Sequence, residues 1–243
     1  RLSGDFIFSA IVFLAALTIL IITLLFILEL ARQAYPAFAR YGWGFLLGTE
    51  WSRTRKEFGA LPFIYGTVVS SAIALIIGGI VGIGMAVFLT ELAPKWLRTP
   101  LAYIAELLAA IPSVVYGFWG LQVVVPWMAH TVQPKLGDAL GFLPLFDGAP
   151  YGVGMLTAGI VLGVMILPTV AAVSKDVISA VPQAQREGML ALGATRWETI
   201  YRVVLPYARS GIVGALILGL GRAFGETIAT TMLIGNNPQI KAS

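Results

Sequence analysis

The chain has 243 residues, of which 58% are hydrophobic and only 12% carry a charge. Soluble domains are about one quarter charged, so this composition indicates a protein of the lipid bilayer. The absence of cysteine excludes disulfides and thiolate chemistry. The single histidine, His130, leaves no multi-histidine metal site, and we expect none. The formal net charge of +4 is spread between apolar runs and forms no basic face for nucleic acid.

Apolar segments of membrane-spanning length follow one another along the chain. Phe6–Leu28 contains no charged residue, and a helix of that length measures about 35 Å, enough to cross the hydrocarbon core. The spans are predicted at about residues 6–28, 63–90, 101–128, 151–174 and 210–234. The predicted fold class is therefore an all-α membrane protein, a polytopic helical bundle forming one transmembrane domain over residues 1–243.

Polar segments separate these spans. Arg32–Pro62 is predicted as a polar connector and His130–Pro150 as a loop, while Pro112 and Pro126 are expected to kink the third span. Five spans leave the termini on opposite sides, and Asn236–Ser243 is typical of a loop entering another element, so we expect a sixth span. The basic residues between the spans favour only slightly the orientation with residues 175–209 in the cytoplasm.

Small residues recur at every fourth position in three of the spans. The second span carries Gly66, Ser70, Ala74, Gly78, Gly82 and Ala86, the fourth Gly159 and Gly163, and the fifth Gly211, Ala215, Gly219 and Ala223. Such a stripe lets neighbouring backbones approach closely, so that dispersion contacts hold the helices together. The alternative is that glycine and alanine are simply common in membrane helices.

The most polar stretch, Lys175–Arg209, is predicted to contain two short helices. The first runs over Pro182–Leu192 and ends at Gly193, because glycine tolerates the left-handed conformation of a helix stop. Thr195 is predicted to cap the second helix in a capping box with Glu198, and Pro206 is expected to end it.

Apolar side chains in this stretch predict a surface that docks another protein. Leu190, Leu192 and Trp197 form an apolar knob flanked by Arg196 and Arg202. The alternative is an interfacial amphipathic hairpin that binds no partner.

The spacing within the stretch resembles the EAA loop of ABC importer permeases. Glu187, Gly193, Leu205 and Pro206 fall on that pattern, whereas Gly188 and Met189 replace its two alanines. The resemblance implies a type I ABC importer transmembrane fold and a cytoplasmic coupling loop at 175–209 that inserts into a cleft of the ATPase subunit. The coupling residues it implies are Glu187, Gly193, Ala194, Thr195, Arg196, Trp197, Leu205 and Pro206.

Longer stretches resemble the PstC-type permeases of bacterial phosphate importers. These are Gly59–Thr67, Leu108–Gly117, Leu192–Glu198 and Leu220–Thr227. The resemblance implies a multi-pass protein of the bacterial inner membrane, with a second homologous permease subunit, two ATPase subunits and a periplasmic phosphate-binding protein as partners. No lysine follows a glycine as a P-loop requires, so we expect no enzyme activity and no cofactor in this chain, with ATP and Mg bound by the partner ATPase.

Two charged residues lie inside the fifth span. Arg222 and Glu226 are four positions apart, which places them on one helix face where they are expected to neutralise each other. An uncompensated charge in a membrane helix costs several kcal/mol, and the planar guanidinium suits phosphate oxygens. We predict that Arg222 lines the substrate path and that Glu226 holds it in place. The alternative is a structural ion pair.

Other functions stay open at this stage. Within the same class, the chain is alternatively a permease for sulfate or molybdate, or the partner phosphate permease. Outside it, the alternatives are a secondary transporter, which usually shows paired repeats with broken helices, and a membrane anchor without transport activity.

Overall fold

The computed structural model describes residues 4–52, 54–142, 149–235, 238 and 240. Contacts divide the chain into two compact units, Arg1–Pro62 and Phe63–Ser243, and each is described by itself. The single domain over residues 1–243 stays a prediction. Most of the predicted loop Asn236–Ser243 lies outside the described residues.

The first unit begins with one long helix. Helix α1, Gly4–Tyr41, contains the predicted span 6–28 but continues into the expected polar connector. None of its residues is buried. After α2, Gly44–Leu47, strands β1 (Trp51–Ser52) and β2 (Glu57–Phe58) form a short antiparallel hairpin.

The second unit is helical. Its α-helices are α3 (Leu61–Val87, whose first residues fall in the first unit), α4 (Lys95–Ala110), α5 (Ser113–Trp119), α6 (Val125–Trp127), α7 (Gln133–Leu140), α8 (Met155–Ser179), α9 (Gln183–Ala191), α10 (Arg196–Thr199), α11 (Leu205–Gly225) and α12 (Ile228–Ile234). In the described chain, π-helical turns join several of them: Phe88–Leu92, Gly120–Val124, Met128–Val132 and Ile200–Val204.

Each of these π-turns ends two residues before a proline. The prolines are Pro94, Pro126, Pro134 and Pro206. Proline has no N–H, and its ring clashes with the carbonyl four residues earlier. Widening the preceding turn to a bond between residues five apart relieves this conflict, and the helix then continues past Pro126, Pro134 and Pro206. The prediction of a loop from His130 is therefore wrong for residues 130–140, which are helical.

The described residues contain four helices long and apolar enough to cross a membrane: Gly4–Tyr41, Leu61–Leu92, Met155–Ser179 and Arg196–Gly225. A fifth crossing exists if the pair Lys95–Ala110 and Ser113–Ala139, bent by 93°, counts as one span. The bend lies at Pro112, where a kink was predicted. At Pro126, by contrast, the helix Ser113–Ala139 continues without a break.

Helix α8 contacts both α3 and α11 through their small residues. All six positions of the α3 stripe are buried. Val170 of α8 meets glycine on both neighbours: a β-carbon built on Gly82 would lie 3.0 Å from its Cβ, and one on Gly219 would lie 2.7 Å from its Cγ2. The close packing predicted from the small-residue spacing is confirmed.

Candidate functional site

Helix α9 ends in the glycine turn that the sequence predicted. Gly193 has a φ of +85°, in the left-handed region. Its N–H donates to Leu190 O at 3.0 Å, and the N–H of Ala194 donates to Met189 O at 3.2 Å. These two bonds form a Schellman motif, which satisfies the last carbonyls of a helix. The chain thereby reverses direction within a few residues.

The next helix begins in the predicted capping box. The N–H of Glu198 donates to Thr195 Oγ1 at 3.2 Å, and the N–H of Thr195 donates to Glu198 Oε2 at 2.8 Å. Both bonds satisfy backbone donors at the start of a helix. The expectation that Pro206 ends this helix is wrong. The π-turn Ile200–Val204 carries the chain past Pro206 in one helix, Arg196–Gly225.

The turn between α9 and α10 presents apolar side chains to its surroundings. Leu192 is 85% exposed, Trp197 64% and Leu190 46%. Glu187, Arg196 and Arg202, all exposed, surround them with charge. A groove of about 840 Å³ runs between α9 and the start of α11, lined among others by Met189, Leu192, Pro206 and Tyr207. An exposed apolar tip beside an open groove is suited to protein docking.

The structure separates the two charged residues of the fifth predicted span. Helix α11 ends at Gly225, and Glu226 has extended backbone angles, with φ −81° and ψ 111°. The helix therefore breaks inside the predicted span 210–234. Glu226 Oε1 accepts from the N–H of Ala229 at 3.1 Å, which caps α12. Within the described part of the chain, Arg222 and Glu226 form no ion pair, so their predicted mutual neutralisation is wrong.

Arg222 instead reaches α8. Its Nη1 donates to Thr169 Oγ1 at 3.1 Å, and both residues are partly buried. The guanidinium keeps donors that this contact does not use, since it has five N–H groups. Beside the break, α12 packs on α5, where a β-carbon on Gly117 would lie 3.0 Å from Ala229 Cα. Helix α5, which follows the bend at Pro112, and α12, which follows the break at Glu226, thus meet near the partly buried guanidinium of Arg222.

The sequence analysis missed one ion pair beside the loop. Arg186 of α9 binds Glu91 of the π-turn after α3, with 2.9 Å between Nη2 and Oε1. The residues are 95 positions apart, and no local pattern connects them. Among the described residues, no cluster of three or more His, Cys, Asp or Glu side chains is placed to hold a metal ion.

The fold matches that of a solved transporter. A chain of the MetNI methionine ABC transporter, solved in inward facing conformations, superposes with a TM-score of 0.50 over 67% of this chain and 68% of that one, at 21% identity. This likeness concerns the fold alone, which is that of a type I ABC importer permease.

Residues 78–242 match the family model of binding-protein-dependent transport system inner membrane components, and the chain belongs to this family. It is 46% identical over 234 residues to the phosphate transport system permease protein PstC of Haemophilus influenzae, covering 95% of this chain and 74% of that protein. For PstC of Mesorhizobium japonicum the identity is 44%, with 98% and 74% covered. For the probable PstC of Methanocaldococcus jannaschii it is 36%, with 90% and 72% covered.

Membership in this family defines the chain as a multi-pass inner-membrane protein and a permease subunit of an ABC transporter. Permeases of this class work with an ATPase and other subunits. The sequence resemblance to PstC-type permeases is confirmed.

Proposed function

We propose that this chain is a permease subunit of an ATP-driven phosphate importer and forms half of the translocation path. Similarity to phosphate transport permeases over 95% of the chain carries this proposal. The chemistry of the membrane site supports it, since Arg222 offers a partly buried guanidinium, with donors beyond the one that binds Thr169, next to a helix break. Planar guanidinium groups bind pairs of phosphate oxygens.

The partners follow from the same relationship. A second, homologous permease subunit supplies the other half of the path, two ATPase subunits bind ATP and Mg, and a periplasmic phosphate-binding protein delivers the substrate. This chain contributes no nucleotide site, because its sequence has no P-loop lysine. ATP hydrolysis therefore belongs to the assembled complex.

The loop Lys175–Arg209 is the coupling element in this proposal, and it faces the cytoplasm. Its exposed tip, with Leu192 and Trp197, enters the cleft of the ATPase subunit. Trp197 and Arg222 lie near opposite ends of one continuous helix, Arg196–Gly225. Displacement of the tip therefore moves Arg222 as well. Motion produced by ATP therefore reaches the residue that contacts the anion.

Arg222 lines the path and binds phosphate transiently. Thr169 orients the guanidinium through the 3.1 Å hydrogen bond, while Glu226 caps α12 and positions the break. The carboxylate of Glu226 also lowers the affinity for phosphate, since like charges repel. A site that binds too tightly cannot release its substrate into the cytoplasm.

Reconstitution of the complete complex in proteoliposomes tests the proposal. We expect phosphate uptake that requires ATP and the binding protein, and that sulfate and molybdate in excess do not reduce. Arg222→Gln abolishes this uptake but leaves complex assembly intact, whereas Arg32→Gln, which removes an exposed arginine, changes neither. Uptake of sulfate or molybdate in place of phosphate identifies the alternative oxyanion permease, and uptake driven by an ion gradient without ATP identifies a secondary transporter.

A further inference from the structure

Arg186 connects three segments of the structure at once. Its Nε and Nη2 lie 3.2 and 2.9 Å from Glu91 Oε1. Nη2 also donates to Ile178 O at 2.8 Å, and Nη1 donates to Val181 O. The side chain starts on α9, caps the carbonyls at the end of α8 and binds the carboxylate that ends the helix Leu61–Leu92.

The surroundings of this pair distinguish it from a surface ion pair. The side chains of Arg186 and Glu91 are each 13% exposed. In the remaining ion pairs between described residues, every side chain is at least 50% exposed. Exposed pairs contribute little, whereas removing one partner of a buried pair leaves an uncompensated charge. Loss of either partner would therefore leave a mostly buried charge where α9 meets the ends of α3 and α8.

The helix held by Glu91 is also the helix whose small residues face α8. Gly78 and Gly82 lie on that face, against Gly163 and Val170. The small residues let the two backbones approach closely, so any displacement of α3 changes its contact with α8. A link at the end of α3 therefore decides how α3 moves when α9 moves.

We propose that Glu91 and Arg186 are positioning residues that couple displacement of α9 to displacement of α3 against α8. The continuous helix Arg196–Gly225 carries loop motion to one side of α8, and this pair carries it to the other. Both helices then move together and open or close the path around α8. The inference rests on the proposed coupling role of the loop.

Simultaneous measurement of phosphate uptake and ATP hydrolysis in the reconstituted complex tests the pair. Glu91→Gln removes the charge at constant size, so we expect phosphate transported per ATP to fall by about tenfold or more, with assembly and hydrolysis maintained. Arg186→Gln gives a similar loss. The double variant is no worse than the more severe single variant, because both changes break the same link. Glu29→Gln, which breaks the exposed pair with Arg32, is the matched control and leaves the ratio unchanged.

Transport per ATP within twofold of the unmodified complex in either variant, or losses that multiply in the double variant, overturns the proposal. If the variants assemble poorly, a second measurement decides. Because the chain has no cysteine, Leu92→Cys and Gln185→Cys accept a pair of spin labels. Glu91→Gln should broaden the distance distribution between them, and an unchanged distribution overturns the link. This measurement needs neither ATP nor phosphate, so it is independent of a failure of the proposed function.

Discussion

Gly78 of α3 lies against Gly163 of α8 with no room for a side chain. A β-carbon built at position 78 would stand 2.5 Å from the Gly163 carbonyl oxygen and 2.7 Å from Ile166 Cγ1. The nearest atom belongs to the backbone of a buried helix, so it cannot move aside as the end of a flexible side chain would. The contact between α3 and α8 depends on glycine at this position.

Gly78→Leu should therefore prevent correct packing of α3 on α8. Overpacking of a well-packed site costs about 1–3 kcal/mol, and a backbone clash places this site at or above the upper end. We expect loss of the assembled complex and of transport, measured by thermal denaturation in detergent and by uptake. Gly84→Leu on the same helix is the control, since a β-carbon there meets nothing within 4 Å. Normal assembly and transport with Gly78→Leu would refute the role of the small-residue stripe.

An uncharged substitution at Gly193 tests the importance of the loop's backbone conformation without changing the loop's charge. A β-carbon at this position meets nothing within 4 Å, so the φ of +85° is the sole conflict. The left-handed conformation costs a residue with a β-carbon about 1–2 kcal/mol. We expect Gly193→Ala to weaken ATPase binding by about tenfold, measured as a dissociation constant.

Gly193→Asn is the matched variant, because asparagine tolerates the left-handed region, and it should bind the ATPase nearly normally. Equal losses for alanine and asparagine would show that the backbone conformation is not what the ATPase requires.

Gly193→Asp and Glu187→Arg should leave the protein in the membrane yet uncouple transport from ATP hydrolysis.

Trp197 is expected to be the main anchor of the docking surface. It is 64% exposed at the start of α10, and buried tryptophans at interfaces often contribute about 2 kcal/mol or more. Trp197→Ala should lower ATPase affinity by about 30-fold without changing the thermal stability of the free permease. Trp43→Ala, which removes an 80% exposed tryptophan in the first unit, is the control. Undiminished affinity with Trp197→Ala would place the docking surface elsewhere.

The negative charge of Glu226 and its cap on α12 are separable by substitution. Glu226→Gln keeps an oxygen that can accept from the Ala229 N–H, so the cap on α12 survives. Glu226→Ala removes the cap, which costs about 1 kcal/mol. We expect both variants to lose phosphate uptake, but Glu226→Ala alone to lower the melting temperature of the complex. Full uptake with Glu226→Gln would mean that the charge has no part in transport.

Local chemistry accounts for what was predicted correctly near the loop. The glycine stop at Gly193 and the capping box of Thr195 and Glu198 each involve residues within a few positions of one another. The same holds for the predicted spans at about 6–28, 63–90 and 151–174, each of which falls largely within one helix. Proline was misjudged because its effect depends on the turn before it: at Pro206 the widened turn Ile200–Val204 lets the helix continue.

The sequence by itself determined the membrane location, the apolar segments and the helix ends within Lys175–Arg209, because hydrophobic length, capping and glycine stops act within short windows. Tertiary structure decided the partners of the charged residues. Arg222 binds Thr169, 53 positions away, and Arg186 binds Glu91, 95 positions away. In both cases the partner is chosen by the close approach of helices to α8, and short-range patterns contain no information about which distant residue that approach brings near.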